Sequence, residues 1–311
     1  MSISRKIIER SKSIIPFDLL YRKKLERVLA SHRKVGDQWD RIISDYQTGK
    51  IEHHTYNPKQ DLKTERIIWQ YWGQGIDYDV LPEIVKIGFD SIDKHSGDYT
   101  IIRLSDDSIA KYLDIPNEIY EKRDNGLLKR AFFSDLLRVM LLATYGGIWL
   151  DATVLMTGEF PSEYTEGDHF CYQRDHNEPY QQIWEKAFVY YYGWREGFQV
   201  NMLNSILWAK KGSKIMSTIS DLLLYFWLNY DHVSEYFFFQ VLYNRLVNGI
   251  LKETKPIVVS DCTPHILQAV VGGTALPYGY EDALSMSHLH KLSYFNKREI
   301  NKLKRLISQI N

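Results

Sequence analysis

Apolar residues recur three and four apart over several long stretches of this chain and cluster in shorter runs between them, which predicts helices interleaved with buried strands. Over residues 1 to about 48 the spacing is helical, with Pro16 as a break and Thr48-Gly49 as a stop. His53-His54-Thr55-Tyr56-Asn57-Pro58 reads as a connection. Strand and helix then alternate: strand over 67–72, helix over 82–94, strand over 99–104, helix over 106–113, the pattern of βαβ units and a largely parallel sheet. Further strands are expected over 154–156, as a continuation of the one before it, over 169–173 and over 206–209. Long helices are expected over 213–230 and 234–248. The aromatic runs Tyr225-Phe226-Trp227 and Phe237-Phe238-Phe239 are assigned to the core, because helix-borne aromatics usually bury their area. The chain divides into a helical extension, residues 1–60, and an α/β domain, residues 61–311.

The densest chemistry lies between Arg130 and Thr153. A helix there places Arg130, Ser134 and Arg138 on one face at four-residue spacing, with Asp135 three residues before Arg138. The opposite edge, Phe132, Phe133, Leu136, Leu137 and Val139 to Leu142, is bulky enough to bury against a sheet and so fix where the polar edge points. Gly146 and Gly147 close the helix, and Ile148-Trp149-Leu150 is short and apolar enough to be a buried strand. Asp151 then stands at a strand's carboxyl end, where open α/β sheets place ligand chemistry. A core helix with an internal Asp135–Arg138 ion pair accounts for the same residues, since charges among apolar neighbours need partners.

Composition narrows the class. Lys plus Arg equals Asp plus Glu at 39 each, so formal charge is zero and a nucleic-acid surface is not the expected business of the protein. The local exception is the amino terminus, where Arg5, Lys6, Arg10, Lys12, Arg22, Lys23, Lys24, Arg27, Arg33 and Lys34 face only Glu9, Asp18 and Glu26. Such a basic amphipathic segment has two candidate resting places, an anionic membrane surface and the flank of the α/β domain. Only Cys171 and Cys262 are present, too few for a disulfide framework. With no signal peptide and no membrane-length apolar run, the expected location is cytoplasmic, with peripheral contact at the inner face of the plasma membrane open.

Ser134-Asp135-Leu136-Leu137-Arg138 followed by Tyr145-Gly146-Gly147-Ile148-Trp149-Leu150-Asp151-Ala152-Thr153 resembles the capsular polysaccharide synthesis family. That family is close to the glycosyltransferases sharing a sugar-binding region with a DXD motif and to the glucosylating toxins of clostridia. Ile67-Ile68-Trp69-Gln70-Tyr71-Trp72-Gly73 looks like the first strand of their fold. Asn201-Met202-Leu203-Asn204 and His288-Leu289-His290-Lys291-Leu292 look like later family segments. The resemblance implies a GT-A-like, Rossmann-related sheet flanked by helices and a hexosyltransferase using a nucleotide-diphospho-sugar. Transfer would go, with retention, to an oligosaccharide or lipid-linked acceptor in capsule or exopolysaccharide assembly. A catalytically silent sugar-nucleotide or glycan-binding protein of the same fold is the alternative.

By that resemblance Asp135 and Arg138 contact hydroxyls of the donor sugar, helped by Arg130, Ser134 and Gly147. Asp151, the first residue of the DXD pattern, contacts sugar or ribose and holds Mn or Mg together with His290. Thr153 replaces the second acid, and a hydroxyl is a poorer ligand than a carboxylate for a hard divalent cation, which makes the metal less secure. Strand alternation sets Trp69 and Tyr71 against Gln70 and Trp72, and the second pair is favoured for the nucleotide. Asp106 and Asp107 suit a ribose hydroxyl or a helix cap equally. His288, His290 and Lys291 are close enough to serve a diphosphate together. Asp261 and His265 either line the same cleft or cap a helix. No catalytic base is assigned, and a Glu235–His232 pair stays open.

Overall fold

The computed structural model describes residues 17–309; the Pro16 break and Arg5, Lys6, Arg10 and Lys12 lie outside them. In chain order the elements are α1 (Phe17–Gln47), β1 (Ile67–Tyr71), α2 (Glu83–His95), β2 (Thr100–Leu104), α3 (Asn117–Asp124), α4 (Arg130–Tyr145), β3 (Gly147–Leu150), β4 (Val154–Met156), β5 (His169–Gln173), α5 (Gln181–Ala187), β6 (Met202–Ala209), α6 (Lys214–Asn229), α7 (Phe238–Val247), α8 (Ile266–Gly272), α9 (Tyr280–Met286), β7 (Leu289–Lys291) and α10 (Lys297–Ile307).

The fold is α/β with a mostly parallel central sheet flanked by helices. Its strand order is β2-β1-β3-β6-β5. Strand β1 pairs in parallel with β2 and β3, whereas β6 runs antiparallel to both β3 and β5, so four strands share one direction and β6 opposes them. Two kinds of cover close the two faces. On the Gln70 side, Arg103 reaches from β2 to the Phe89 carbonyl of α2. On the Trp69 side, the indole Nε1 donates to the Gly146 carbonyl at the end of α4 at 2.9 Å. Helix α1 is long and amphipathic, burying Leu25, Val28, Val35, Trp39 and Ile42 while Arg22, Lys23, Lys24, Arg27, Arg33 and Lys34 stay exposed. Along its described length the apolar face is committed to the protein: Trp39 Nε1 donates to the Phe238 carbonyl at 2.9 Å and the Tyr46 hydroxyl to Asp221 at 2.8 Å. Phe226, Trp227, Phe238 and Phe239 are buried beside it, as expected for core aromatics.

Several expectations change. The helix expected over 106–113 is a single 3₁₀ turn, Ile109–Lys111. Ser108 Oγ takes the Ser105 N–H and donates to the Ser105 carbonyl, a local alternative to helical bonding. Helix α3 was not expected: it buries only Ile119, so it shows no apolar period. Strand β4 does not extend β3. A turn in which Val154 N–H donates to the Asp151 carbonyl at 2.8 Å sends it into a separate pairing with β7.

Gly146 and Gly147 explain why α4 stops and β3 begins where they do. Both take positive φ, 73° and 97°, and a Cβ on Gly147 would lie 2.5 Å from the Ile67 carbonyl oxygen of β1. Gly147→Ala should lower stability by about 1–3 kcal/mol or more through strain and displacement of β1. Gly212→Ala, at φ 69° with open space around the added methyl, should cost only about 1 kcal/mol. Denaturant unfolding of both variants checks this, and equal losses would overturn the close-approach argument.

Candidate active site

The carboxyl ends of β1, β2 and β3 lie along one edge of the sheet, and the antiparallel β6 brings its beginning to that same edge. Asp151 N–H donates to the Ser205 carbonyl at 2.9 Å, which locks the end of β3 to the start of β6. Over this edge opens a cleft of about 1040 Å³, lined among others by Tyr71, Trp72, Arg130, Ser134, Asp135, Arg138, Asp151, Thr153, Asn204, His265 and Lys291. The cleft thus lies at the strands' carboxyl ends, with α4 forming one wall.

Arg138 is the hub. Its Nη1 lies 2.9 Å from Asp135 Oδ1 and donates to the Asn204 carbonyl at 2.9 Å. Its Nη2 donates to Ser134 Oγ at 3.1 Å and reaches Asp151 Oδ1 at 3.4 Å, while the guanidinium carbon stands 5.2 Å from the Trp149 ring centre. Asp135 also accepts from Asn204 Nδ2 at 2.8 Å. Asp151 accepts from Trp149 Nε1 at 2.9 Å on Oδ1 and from Lys291 Nζ at 2.9 Å on Oδ2; the same ammonium donates to Thr153 Oγ1 at 2.9 Å. The two carboxylates are tuned apart. Burial raises Asp135 to a pKa of about 6, opposed by Arg138 and reinforced by Asp151. Burial works the same way on Asp151, but Lys291 and Arg138 outweigh it and hold Asp151 below the usual carboxylate value.

Of the residues singled out from sequence, Trp72, Arg130, Ser134, Asp135, Arg138, Asp151 and Lys291 line this one cleft. Four do not. Gln70 is fully buried on the α2 side, where its Oε1 accepts from Arg103 Nε at 2.9 Å; Tyr71, from the other face of β1, takes the cleft position instead. Gly147 is packed against β1. Asp106 stands behind the rim, accepting from the Tyr71 hydroxyl and from Arg130 Nη2 at 2.9 Å, so it orients two lining residues. His290 alternates to the opposite side of β7 from Lys291. It is fully buried with Nε2 at 3.1 Å from Thr157 Oγ1, and burial first, then His288, depresses its pKa to about 3. The expected metal pair Asp151 and His290 is therefore not brought together. Among the described residues no group of three or more His, Cys, Asp or Glu is placed to hold a metal ion.

Other residues enter that sequence reading had missed or left open. Asn204 bridges Asp135 and Arg138, and only the reversed direction of β6 puts it there. His265 lines the cleft, whereas Asp261 is buried behind it in a two-pronged pair with Arg174 at 2.8 and 2.9 Å. Glu235 accepts from the Ser31 hydroxyl at 2.6 Å and is not part of the cleft lining. Tyr236 and Tyr294, 62% and 71% exposed, stand among the lining residues and had no periodic signal to mark them.

Comparison with known proteins adds the following. The family model described as capsular polysaccharide synthesis protein matches residues 21–310. Among curated proteins there is no match. A solved structure titled "PaToxG Glycosyltransferase" is 16% identical, with 91% of this chain and 96% of that chain covered at a TM-score of 0.36, too slight a likeness to bear on fold or activity.

Asp135 carries a pH signature. Its folded pKa of about 6 lies above the unfolded value of about 3.9, so folding favours the protonated form. Its contribution to stability is full below about pH 4 and is lost as pH rises through about 6. Asp135→Asn, which does not ionise, should therefore gain on the wild type between about pH 4 and 7, by about 1–3 kcal/mol. Thermal unfolding across that range reads the difference, and one independent of pH would overturn the assignment.

Proposed function

The chain belongs to the capsular polysaccharide synthesis protein family, and from that premise we propose that it is a glycosyltransferase of the GT-A type. It would move a hexose from a nucleotide-diphospho-sugar to an oligosaccharide or lipid-linked acceptor in capsule or exopolysaccharide assembly. The observation that carries the reading is the convergence of Asp135, Arg138, Asp151 and Lys291, from three separate parts of the chain, on one cleft at the carboxyl edge of the sheet.

Each group has a role suited to its chemistry. Asp135, ionised above its pKa of about 6, accepts from sugar hydroxyls, and Arg138 and Asn204 hold it in place. Asp151, kept ionised by its two cations, orients the hexose or ribose from the other side. Lys291 faces the diphosphate. Tyr71, Trp72 and Arg130 form the wall for the nucleotide. The exposed rings of Tyr236 and Tyr294 offer flat apolar faces at the cleft, the kind of surface on which an acceptor sugar stacks. Positioning and charge stabilisation of the leaving diphosphate are what such a site supplies. Transfer proceeds with retention, and the acceptor's proton is drawn by the diphosphate itself. No helix among the described residues is long and apolar enough to cross a membrane. The exposed basic face of α1 suits peripheral contact with the cytoplasmic face of an anionic membrane.

A screen of sugar nucleotides by nucleotide release tests the reading. Asp151→Asn should lower turnover of the accepted donor by about 10²–10³-fold in protein that still unfolds cooperatively. Equal rates in variant and wild type would remove Asp151 from the site. Binding across the panel without turnover, with several acceptors present, would favour the catalytically silent binder.

A further inference from the structure

The position of the Lys291 ammonium goes beyond a general affinity for phosphate. Lys291 is not a loose surface lysine: its side chain is 21% exposed, its backbone is paired opposite Val154, and the following Leu292 N–H donates to the Thr153 carbonyl at 3.1 Å. The strand pairing thus delivers Nζ between the first and third residues of Asp151-Ala152-Thr153, at 2.9 Å from both the carboxylate and the hydroxyl. That is the place from which a divalent cation would be held if the segment served as a metal-binding motif.

The donor set does not suit such an ion. Asp151 Oδ1 is occupied by Trp149 Nε1 and Arg138 Nη2, and Oδ2 by Lys291. The second motif ligand is a hydroxyl, and His290 lies on the far side of β7. A divalent cation bound here would be left with one carboxylate and would sit against an ammonium, a like-charge contact in a poorly solvated site. An ammonium has three donors. Two are used within the protein, and the third remains for an oxygen of the ligand.

We propose that Lys291, braced by Asp151 and Thr153, itself supplies the positive charge that meets the leaving diphosphate, so that the chain binds nucleoside diphosphate and cleaves its donor without a divalent cation. The proposal rests on the glycosyltransferase reading. In the transfer the bond from the anomeric carbon to the diphosphate oxygen breaks, its electron pair staying on the diphosphate. The acceptor oxygen bonds to the anomeric carbon, and its proton passes to a diphosphate oxygen. The negative charge that develops does so next to Nζ, where a fixed cation stabilises the transition state more than the ground state.

The test is calorimetric titration of the full-length protein with UDP and with GDP, once in chelator and once in Mn. Expected is a dissociation constant in chelator within about threefold of that in Mn. Lys291→Met, which keeps the aliphatic stem, should weaken binding in chelator by about 10–100-fold, and Lys291→Arg should restore most of it. In parallel, Mn titrated into the wild type without nucleotide and followed by electron paramagnetic resonance should show no stoichiometric site. Stoichiometric Mn binding that Asp151→Ala abolishes would overturn the proposal whether or not the variants fold. Nucleotide binding that requires Mn would overturn it too, leaving the donor reading intact. Failure of both nucleotides to bind in either condition would overturn the donor reading, and the Lys291 role with it.

Discussion

Arg138, 4% exposed, carries a charge that has to be matched, and its two Nη atoms draw partners from three stretches of chain. Ser134 and Asp135 come from its own helix, Asp151 from the end of β3, and the Asn204 carbonyl from β6. Stranding a buried charge by removing its partner typically costs about 3–5 kcal/mol, a large part of a domain's total stability. The sheet edge, helix α4 and the turn after β3 are therefore held in register by the same contacts that shape the cleft. Local order and site geometry are one constraint, which is how a charged cluster among otherwise apolar residues is kept in place.

The sheet's mixed direction is what makes that arrangement reachable. Parallel strands all deliver their carboxyl ends to one edge and could supply only residues that follow strands. Because β6 runs against β3, the residues at its start, Asn204 and Ser205, arrive at this edge as well. Asn204 touches both members of the Asp135–Arg138 pair, and Ser205 fixes the Asp151 backbone. The small β4–β7 ladder does the same for Lys291, which is far away in sequence but lies within hydrogen-bond distance of Asp151 in space. Neither contact depends on flexible side chains alone; each is set by a backbone pairing.

Much of this was legible from residue order, for a physical reason. Helix α4, its double-glycine stop and the strand after it are local features, written in three- and four-residue spacing and in the two positive-φ positions. The long helices after β6 and the aromatic core were equally local. What the sequence left open was non-local. Alternation says that Gln70 and Tyr71 point to opposite faces but not which face meets the cleft, and the structure gives it to Tyr71 because Gln70 is tied to Arg103 on the α2 side. The same ambiguity separated His290 from Lys291: a one-residue step along β7 decides between burial behind the ladder and contact with Asp151. Asn204 lay in a recognised segment, yet its role follows only from the antiparallel pairing.

Thr153 takes on a different meaning beside Lys291. The cluster holds two carboxylates, Asp135 and Asp151, and two fixed cations, Arg138 and Lys291, so when all are ionised its charge is balanced. A carboxylate at position 153 would add a third negative charge in a poorly solvated place, and one ammonium would be too little to offset it; such a site calls for a doubly charged ion. A hydroxyl there accepts the Lys291 proton donor at the same distance as Asp151 does without adding charge. On this argument the hydroxyl at position 153 and the lysine at position 291 are two halves of one electrostatic solution. Each would be unfavourable alone: a lone ammonium opposite one carboxylate and a methyl group would lack its second anchor, and a second carboxylate without a metal would leave the cluster with a net negative charge.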